Sequence, residues 1–415
     1  MIKLAVIADD FTGALDTGIK FGQSGARTRM FIGTGIDFDK LSEDCEVIIV
    51  DTETRHLSPQ RSYEIIYNLV RHCSQNGVRR FYKKTDSALR GCVGAELAAM
   101  SDALKRPVHF APALPAENRY TKDGIQYING VPVSKSIFGK DPFEPVTKDR
   151  VSDILAIQAK IDVISVPSGS KAEESLDRGV YVYDAASEED LRQIGGDVKA
   201  AEGLVATAGC AGFAQIVREL VFEERGKGVE IPRTDGLFVV CGTLNAKTLD
   251  QLTYAEEHGF SRIVLSPKQK LMPGYLSTQE GRAFLDQLKE KCSEGAPVIV
   301  DVDPVNDPDD PAEMARENGI EEESLRMSIA DRLGKITELW LGFGYDYTLI
   351  LSGGDTAYGF LNRLGIREVV PVGEVLQGAV MFQIEVRGRT LNVVSKSGGF
   401  GSEDFFVRAA EILIK

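Results

Sequence analysis

Tyr347-Thr348-Leu349-Ile350-Leu351-Ser352 runs directly into Gly353-Gly354-Asp355-Thr356, and about forty residues later Val393-Val394-Ser395-Lys396 runs into Ser397-Gly398-Gly399-Phe400-Gly401. An apolar run that stops at a glycine turn reads as a buried strand handing the chain to a loop. Glycine lets backbone N–H groups approach a ligand, and a helix starting at such a loop turns its positive end toward anions. Either loop alone could be an ordinary βα turn. Two of them, with Asp355 and Lys396 adding a carboxylate and a cation, read as a phosphate cradle.

Working outward, short apolar runs alternate with amphipathic stretches along the chain, the pattern of parallel α/β layers. Strands are predicted over residues 4–8, 47–50, 80–83 and 108–111, then over 163–166, 180–183, 237–240, 262–265, 298–300 and 348–351. A helix is predicted over 59–73 from the spacing of Ile65, Ile66, Leu69 and Val70, with Ser58 as N-cap, Pro59 in the first turn and Asn76-Gly77 closing it. Residues 380–386 and 390–395 read as a hairpin around Arg387-Gly388-Arg389, followed by a closing helix from about Ser402.

A length of 415 residues calls for two domains. The charged segment 223–228 has no apolar periodicity and reads as the linker, giving domains 1–230 and 231–415. The acid- and proline-rich stretch 301–323 reads as a solvated loop. The expected fold is therefore two α/β domains with mainly parallel sheets and a ligand cleft between them.

The net charge of −14 disfavours nonspecific binding to nucleic acid or an anionic membrane. Six cysteines, at 45, 73, 92, 210, 241 and 292, lack C-x-x-C spacing, and four histidines supply no Cys/His cluster, so no zinc site is visible. The apolar N-terminal stretch meets Asp9 too early for a signal peptide, and no apolar run reaches the roughly 18 residues that span a bilayer. The expectation is a reduced, cytoplasmic protein, with a homo-oligomer compatible.

The first strand ends in Ala8-Asp9-Asp10-Phe11-Thr12-Gly13-Ala14. Ligands of parallel sheets bind outside the carboxyl ends of strands, so two adjacent carboxylates there are suggestive, although Asp10 or Thr12 could simply cap the next helix. The glycines of a dinucleotide fingerprint are missing, no Walker A loop occurs, and Phe11 stands where an aspartyl-phosphate phosphatase would place its second aspartate. A denser constellation is Tyr82-Lys83-Lys84-Thr85-Asp86-Ser87-Ala88-Leu89-Arg90-Gly91. An extended Lys-Lys pair points to opposite faces, so at most one of the two enters a pocket directly. Arg90 can hold a carboxylate by two parallel hydrogen bonds. Arg55 closes another strand on the same edge and adds either a cation or a surface ion pair, and Arg119 lies in a comparable loop ranked lower.

Taken in order, A-D-D-F-T-G-A, K-K-T-D-S-A-L-R-G, A-P-A with N-R and D-G downstream, L-S-G-G-D-T and K-S-G-G-F-G resemble the four-carbon acid sugar kinase family, long known as a domain of unknown function. The resemblance runs from Ile2 to the last helix and is weakest across about 220–235 and 300–335. It implies an N-terminal sugar-acid-binding domain and a C-terminal nucleotide-binding domain, with ATP phosphorylating a hydroxyl of threonate, erythronate or an oxo-tetronate. Asp9, Asp10, Arg55, Lys83, Lys84, Asp86, Ser87 and Arg90 are the expected acid-binding residues. Gly353, Gly354, Asp355, Thr356, Lys396, Gly398 and Gly399 would hold ATP phosphates, with Mg²⁺ bridging the β and γ oxygens and its protein ligands unassigned. The family's Gly-Ser-rich turn reads Cys241-Gly242-Thr243-Leu244-Asn245 here, so Thr243 and Asn245 replace serines; Cys92 replaces the expected asparagine after Arg-Gly, a change that bears on substrate choice. For the base, Asp86, Asp9, Asp10 and Asp355 all stay open. A sugar-acid-binding regulator without turnover is the competing class, against which the intact glycine loops speak.

Overall fold

The computed structural model describes residues 2–41, 44–141, 144–173, 175–222, 230–303, 314–316, 318, 319 and 321–415. The chain divides into two compact units, Met1–Gly228 and Val229–Lys415. The expected linker at 223–228 lies outside the described residues, as do residues 304–313, 317 and 320 of the acidic stretch.

In the first unit the strands are β1 (Leu4–Ala8), β2 (Thr28–Ile32), β3 (Val47–Asp51), β4 (Phe81–Lys84), β5 (Pro107–Ala111), β6 (Arg119–Lys122), β7 (Ile125–Ile128), β8 (Val131–Pro132), β9 (Val163–Val166), β10 (Gly179–Tyr183) and β11 (Ala206–Gly209). Eight of them form a parallel sheet in the order β2-β3-β1-β4-β11-β5-β10-β9, and β6-β7-β8 make a small antiparallel sheet. The buried strands β1 and β3 read as continuous apolar runs because helices cover both faces of a parallel sheet. The helix Pro59–Gln75 starts as its sequence dictates, with Ser58 accepting from the Arg61 N–H and Pro59 at its first position. Gly77 follows it at φ +86°, a conformation that spares glycine a Cβ clash.

The second unit contains β12 (Gly236–Cys241), β13 (Ser261–Val264), β14 (Val298–Asp301), β15 (Tyr347–Ser352), β16 (Glu368–Leu376), β17 (Ala379–Val386) and β18 (Arg389–Lys396). Their order is β13-β14-β12-β15-β18-β17-β16, with β17 antiparallel to both neighbours and the rest parallel.

Four features depart from the periodicity reading. β4 begins one residue later than expected and so carries Lys84 as its last residue. β2, β11 and β16 were not expected: Ala-Thr-Ala-Gly is too small to look apolar, Arg29 breaks β2, and Pro371 with its register shift interrupts β16. The small sheet β6-β7-β8 is likewise irregular in sequence. The closing helix starts at Phe405 rather than Ser402, whose hydroxyl bonds to Asp404 instead.

Candidate functional site

Strand register decides which loops become neighbours. In the first unit Ala8 pairs with Asp51 on one side and Lys84 on the other, Lys84 pairs with Gly209, and Gly209 pairs with Ala111. The carboxyl ends of five strands are therefore level. The chain leaves β1 toward β3 and β2 on one side and reaches β4 on the other, so β1 and β4 flank the topological switch point where open α/β sheets bind ligands.

Asp10 caps the helix Phe11–Gln23 by accepting from the Gly13 N–H, at 3.0 Å. Its other oxygen receives Arg55 Nη1 at 2.7 Å, while Arg55 Nε donates to Asp9 at 2.8 Å. Arg55 is thus a largely buried clamp on both aspartates, not a surface ion pair. Burial would raise Asp9, but Arg55, Lys83 and Lys84 outweigh it and hold its carboxyl below the usual range. Asp9 Oδ1 has no hydrogen-bond partner among the described residues. Asp51 and Glu53 lie at the end of β3; burial and then their mutual repulsion raise Asp51 well above the usual carboxylate range.

The two lysines of β4 part company as strand geometry requires. Lys83 is fully buried, pairs with Glu96 at 3.0 Å and donates to the Lys84 carbonyl, so its charge is met within the protein. Lys84 is 7% exposed and donates to the Thr85 carbonyl at 3.1 Å.

Arg90 also differs from expectation. Its Nε and Nη2 grip the two oxygens of Asp86 at 3.0 and 3.1 Å, and Nη1 donates to Asp141 at 3.1 Å. The fork proposed for a substrate carboxylate is filled by the protein's own carboxylates. Asp86 accepts as well from the Ala88 and Arg90 N–H groups. Burial would raise Asp86, but Arg55 and Arg90 outweigh it and hold its carboxyl far below the usual range. Ser87 receives Arg119, whose guanidinium lies 5.4 Å from the Phe138 ring, and Arg90 lies 5.0 Å from the same ring. Cys92 is buried and its thiol donates to the Leu57 carbonyl, leaving the helix Val93–Leu104 without the side-chain cap an asparagine could give. A cavity of about 240 Å³ opens here, lined in part by Arg55, Leu57, Arg90, Cys92 and Glu144. A larger one, about 490 Å³, lies by Pro107, His109, Tyr181 and Ala206, away from these strand ends.

The second unit repeats the logic. Cys241, Ser352 and Lys396 are level at the carboxyl ends of β12, β15 and β18, and β12 and β15 flank this sheet's switch point. A Cβ on Gly398 would fall 2.8 Å from Thr243 Oγ1 and 3.3 Å from the Asn245 Cβ, and one on Gly242 would fall 2.3 Å from Thr356 Oγ1. Gly353, at φ +110°, begins the helix Gly354–Arg363. Asn245 caps the helix Ala246–Glu257, accepting from Lys247 N–H at 3.1 Å. Lys396 Nζ, buried over the rings of Phe405 and Phe406, donates to Thr248 Oγ1 and the Ser397 carbonyl. Burial lowers its pKa to about 8, with Lys247 adding to the effect and Cys241 opposing it. Thr243, Asn245, Gly353, Thr356, Lys396, Gly398 and Gly399 are thereby brought together. Asp355 stands apart, half exposed and paired with Arg326 at 3.1 Å. No group of three or more His, Cys, Asp or Glu side chains that could hold a metal occurs among the described residues.

Sequence reading missed Glu96, Asp141 and Thr248. Glu96 had a signal, a carboxylate set among the small and apolar residues Val93 to Met100 that open the Val93–Leu104 helix; Asp141 and Thr248 had none.

Comparison with known proteins fits this division. Residues 4–217 match the family model described as a sugar-binding N-terminal domain, and 238–406 match a nucleotide-binding C-terminal domain. The chain belongs to the four-carbon acid sugar kinase family. It is 28% identical to D-threonate kinase of Salmonella typhimurium over 97% of this chain and 96% of that one. It is 26% identical to D-erythronate kinase of Heliobacterium modesticaldum, covering 100% and 98%, and 23% identical to 3-oxo-tetronate kinase of Methylobacterium radiotolerans, covering 99% of each. Two crystal structures share the fold over 99% or more of their own length and 99% of this chain: one from Salmonella typhimurium, with TM-score 0.79 at 21% identity, and one from Haemophilus influenzae, with 0.76 at 19%. No described helix is long and apolar enough to cross a membrane.

Proposed function

We propose that this chain transfers the γ-phosphoryl group of ATP to a hydroxyl of a four-carbon sugar acid. The observation that carries the reading is the glycine cradle of the second unit, where Gly242, Gly353 and Gly398 leave no room for a Cβ or adopt a glycine-favoured φ, with Lys396 buried beside them. Loops this close suit a phosphate chain held by backbone N–H groups and a helix N-terminus. Mg²⁺ would be held mainly by phosphate oxygens and water, as its reluctance to dehydrate favours, and it would neutralise charge developing on the transferred group.

Phosphoryl transfer asks for positioning and charge balance more than covalent chemistry. Arg55 fixes Asp9 and Asp10 at the end of β1. Of the four candidate bases, Asp10 and Asp86 have both oxygens engaged and Asp355 pairs with Arg326, whereas Asp9 Oδ1 has no partner among the described residues. Asp9 is therefore the group we assign to accept the hydroxyl proton. The test is a screen of purified protein against four-carbon acids of each configuration with coupled ADP detection. Acid-dependent ADP release supports the reading. Acid binding without ADP release would make the chain a sugar-acid-binding regulator instead.

A further inference from the structure

The cavity of about 490 Å³ in the first unit lies on a part of the sheet that neither proposed substrate uses. It takes in Pro107 and Ala206, the first residues of β5 and β11, whereas the acid-binding candidates cluster at and beyond the last residues of β1 and β4. Along a strand, alternate residues face opposite sides of the sheet. Val108, Phe110, Val180 and Val182 join the apolar core on one side. His109 pairs with Tyr181 in the register and Tyr183 follows two residues on, so these three rings share the other side, where they line the cavity. The imidazole makes 22° with the Tyr181 ring and 28° with the Tyr183 ring, at centroid distances of 5.4 and 6.0 Å. This stretch of the sheet is paved with near-parallel rings.

What these side chains still offer a ligand follows from their hydrogen bonds. The Tyr181 hydroxyl accepts from the Ser175 and Leu176 N–H groups, both at 3.0 Å, and donates to the Glu173 carbonyl at 2.8 Å, so only its ring remains free. The Tyr183 hydroxyl meets His109 Nδ1 at 2.8 Å. A phenol is the stronger donor and a neutral imidazole nitrogen the stronger acceptor, so Nδ1 accepts and the ring hydrogen sits on Nε2. Burial lowers His109 to about 4, which keeps the ring neutral. Although His109 is only 7% exposed, Nε2 has no hydrogen-bond partner among the described residues. A Cβ on Gly203 would fall 2.5 Å from Nε2, so this glycine, itself part of the cavity wall, leaves the donor edge uncovered. A buried N–H without an acceptor costs free energy that a ligand acceptor would recover. Toward solvent, Arg106 and Lys171 stand with Asp197 and Glu202, and Lys171 already pairs with Asp197 at 2.9 Å, so the charges of the rim cancel. A phosphate or an organic acid would find no net positive field here.

We propose that this cavity is a second ligand site, for an uncharged planar heteroaromatic ring of nucleobase size that stacks on Tyr181, His109 and Tyr183 and accepts the His109 Nε2 hydrogen on its edge. Its volume falls in the range of about 300–1,000 Å³ typical of small-molecule pockets. Rings that lie near-parallel favour a flat π system over an aliphatic one, and a single inward donor favours a ring that carries a carbonyl or an imine nitrogen. The site goes beyond the proposed phosphoryl transfer and stands or falls independently of it.

The experiment titrates the full chain, isotopically labelled in histidine, with nicotinamide and uracil, which carry carbonyl acceptors, with indole, which has no edge acceptor, and with cyclohexanol, which is not aromatic. The chain has four histidines, so the ring signals are few and His109 is assigned by its cross-peaks to the rings of Tyr181 and Tyr183. Nicotinamide or uracil should move the His109 signal upfield until it saturates, and cyclohexanol should not. By calorimetry, His109→Phe, which keeps a ring and removes the donor, should weaken the carbonyl-bearing rings by about two- to tenfold, the range of one neutral hydrogen bond, and leave indole unchanged. Ala172→Trp, at a partly exposed position of the same wall, should fill the cavity and weaken every ring by about tenfold or more, with ATP affinity within about twofold of wild type. If His109→Phe misfolds, Ala172→Trp decides. No saturable shift at His109 with any of the three rings overturns the site, as does ring binding that Ala172→Trp leaves at wild-type strength. Equal binding of cyclohexanol overturns the aromatic class, and indole binding as tightly as nicotinamide and uracil overturns the role given to Nε2.

Discussion

Arg90 grips Asp86 with two donors and Asp141 with a third, and this changes what its removal should do. Asp86 also anchors a loop in which Leu89 is held at φ +65°, a conformation that costs a non-glycine residue about 1 kcal/mol or more. Arg90→Ala should lower stability by about 2 kcal/mol, because it leaves a buried carboxylate short of its charged partner. It should also depress kcat/KM for the acid, in parallel with the loss of order around the loop. Thermal melting and kinetics on the same preparation check this; unchanged melting with lost acid use would return Arg90 to direct ligand contact. Lys396 supports a second prediction. Its pKa of about 8 must rise when phosphates approach, so ATP binding takes up a proton above that pH and none well below it. ATP affinity should be flat up to about pH 8 and then fall by up to tenfold per unit as pH rises, and Lys396→Arg, which stays charged, should flatten the profile. An identical slope in Lys396→Met would remove Lys396 from the nucleotide site.

At the scale of elements, the cradle depends on three strand ends being level and on loops without side chains between them. A Cβ on Gly398 meets the Thr243 hydroxyl at 2.8 Å, and one on Gly353 must also tolerate φ +110°. Gly398→Val and Gly353→Val should therefore weaken ATP by tenfold or more, roughly 1.4 kcal/mol, while leaving acid affinity nearly intact, since the proposed acid site lies in the other unit. Separate titrations of ATP and acid on each folded variant test it. Surviving ATP affinity in both, or loss of acid affinity with ATP spared, would contradict the assignment. The strained glycine of the first loop is Gly353 rather than Gly354, a distinction the Gly-Gly pair alone does not reveal.

For the whole molecule, the legible part was the arrangement of β-strands with continuous apolar runs, such as Leu4–Ala8 and Tyr347–Ser352, which are buried on both faces and need no alternation. β11, with its Ala-Thr-Ala-Gly, stayed illegible because its burial comes from β4 and β5 on either side. It is nevertheless the strand that joins β4 to β5. The glycine loops, Asp9, Asp10 and the Lys-Lys motif were visible as residues, while their partners were not. Glu96 lies 13 residues from Lys83 and Asp141 lies 51 from Arg90, and ion pairs of that separation leave no local pattern.

By itself the sequence determined the α/β class, the two motif groups and the family, because apolar periodicity, glycine placement and motif order are properties of the chain read in one dimension. Only the tertiary structure decided which cations remain for a ligand. Electrostatic neutralisation is a property of distance in space: Lys83 and Lys84 are adjacent and chemically identical, yet one is spent on Glu96 and the other has no carboxylate partner among the described residues. The same holds for Arg90 and Arg119, which lie 5.0 and 5.4 Å from one phenylalanine ring and differ in having Asp86 and Asp141 within reach.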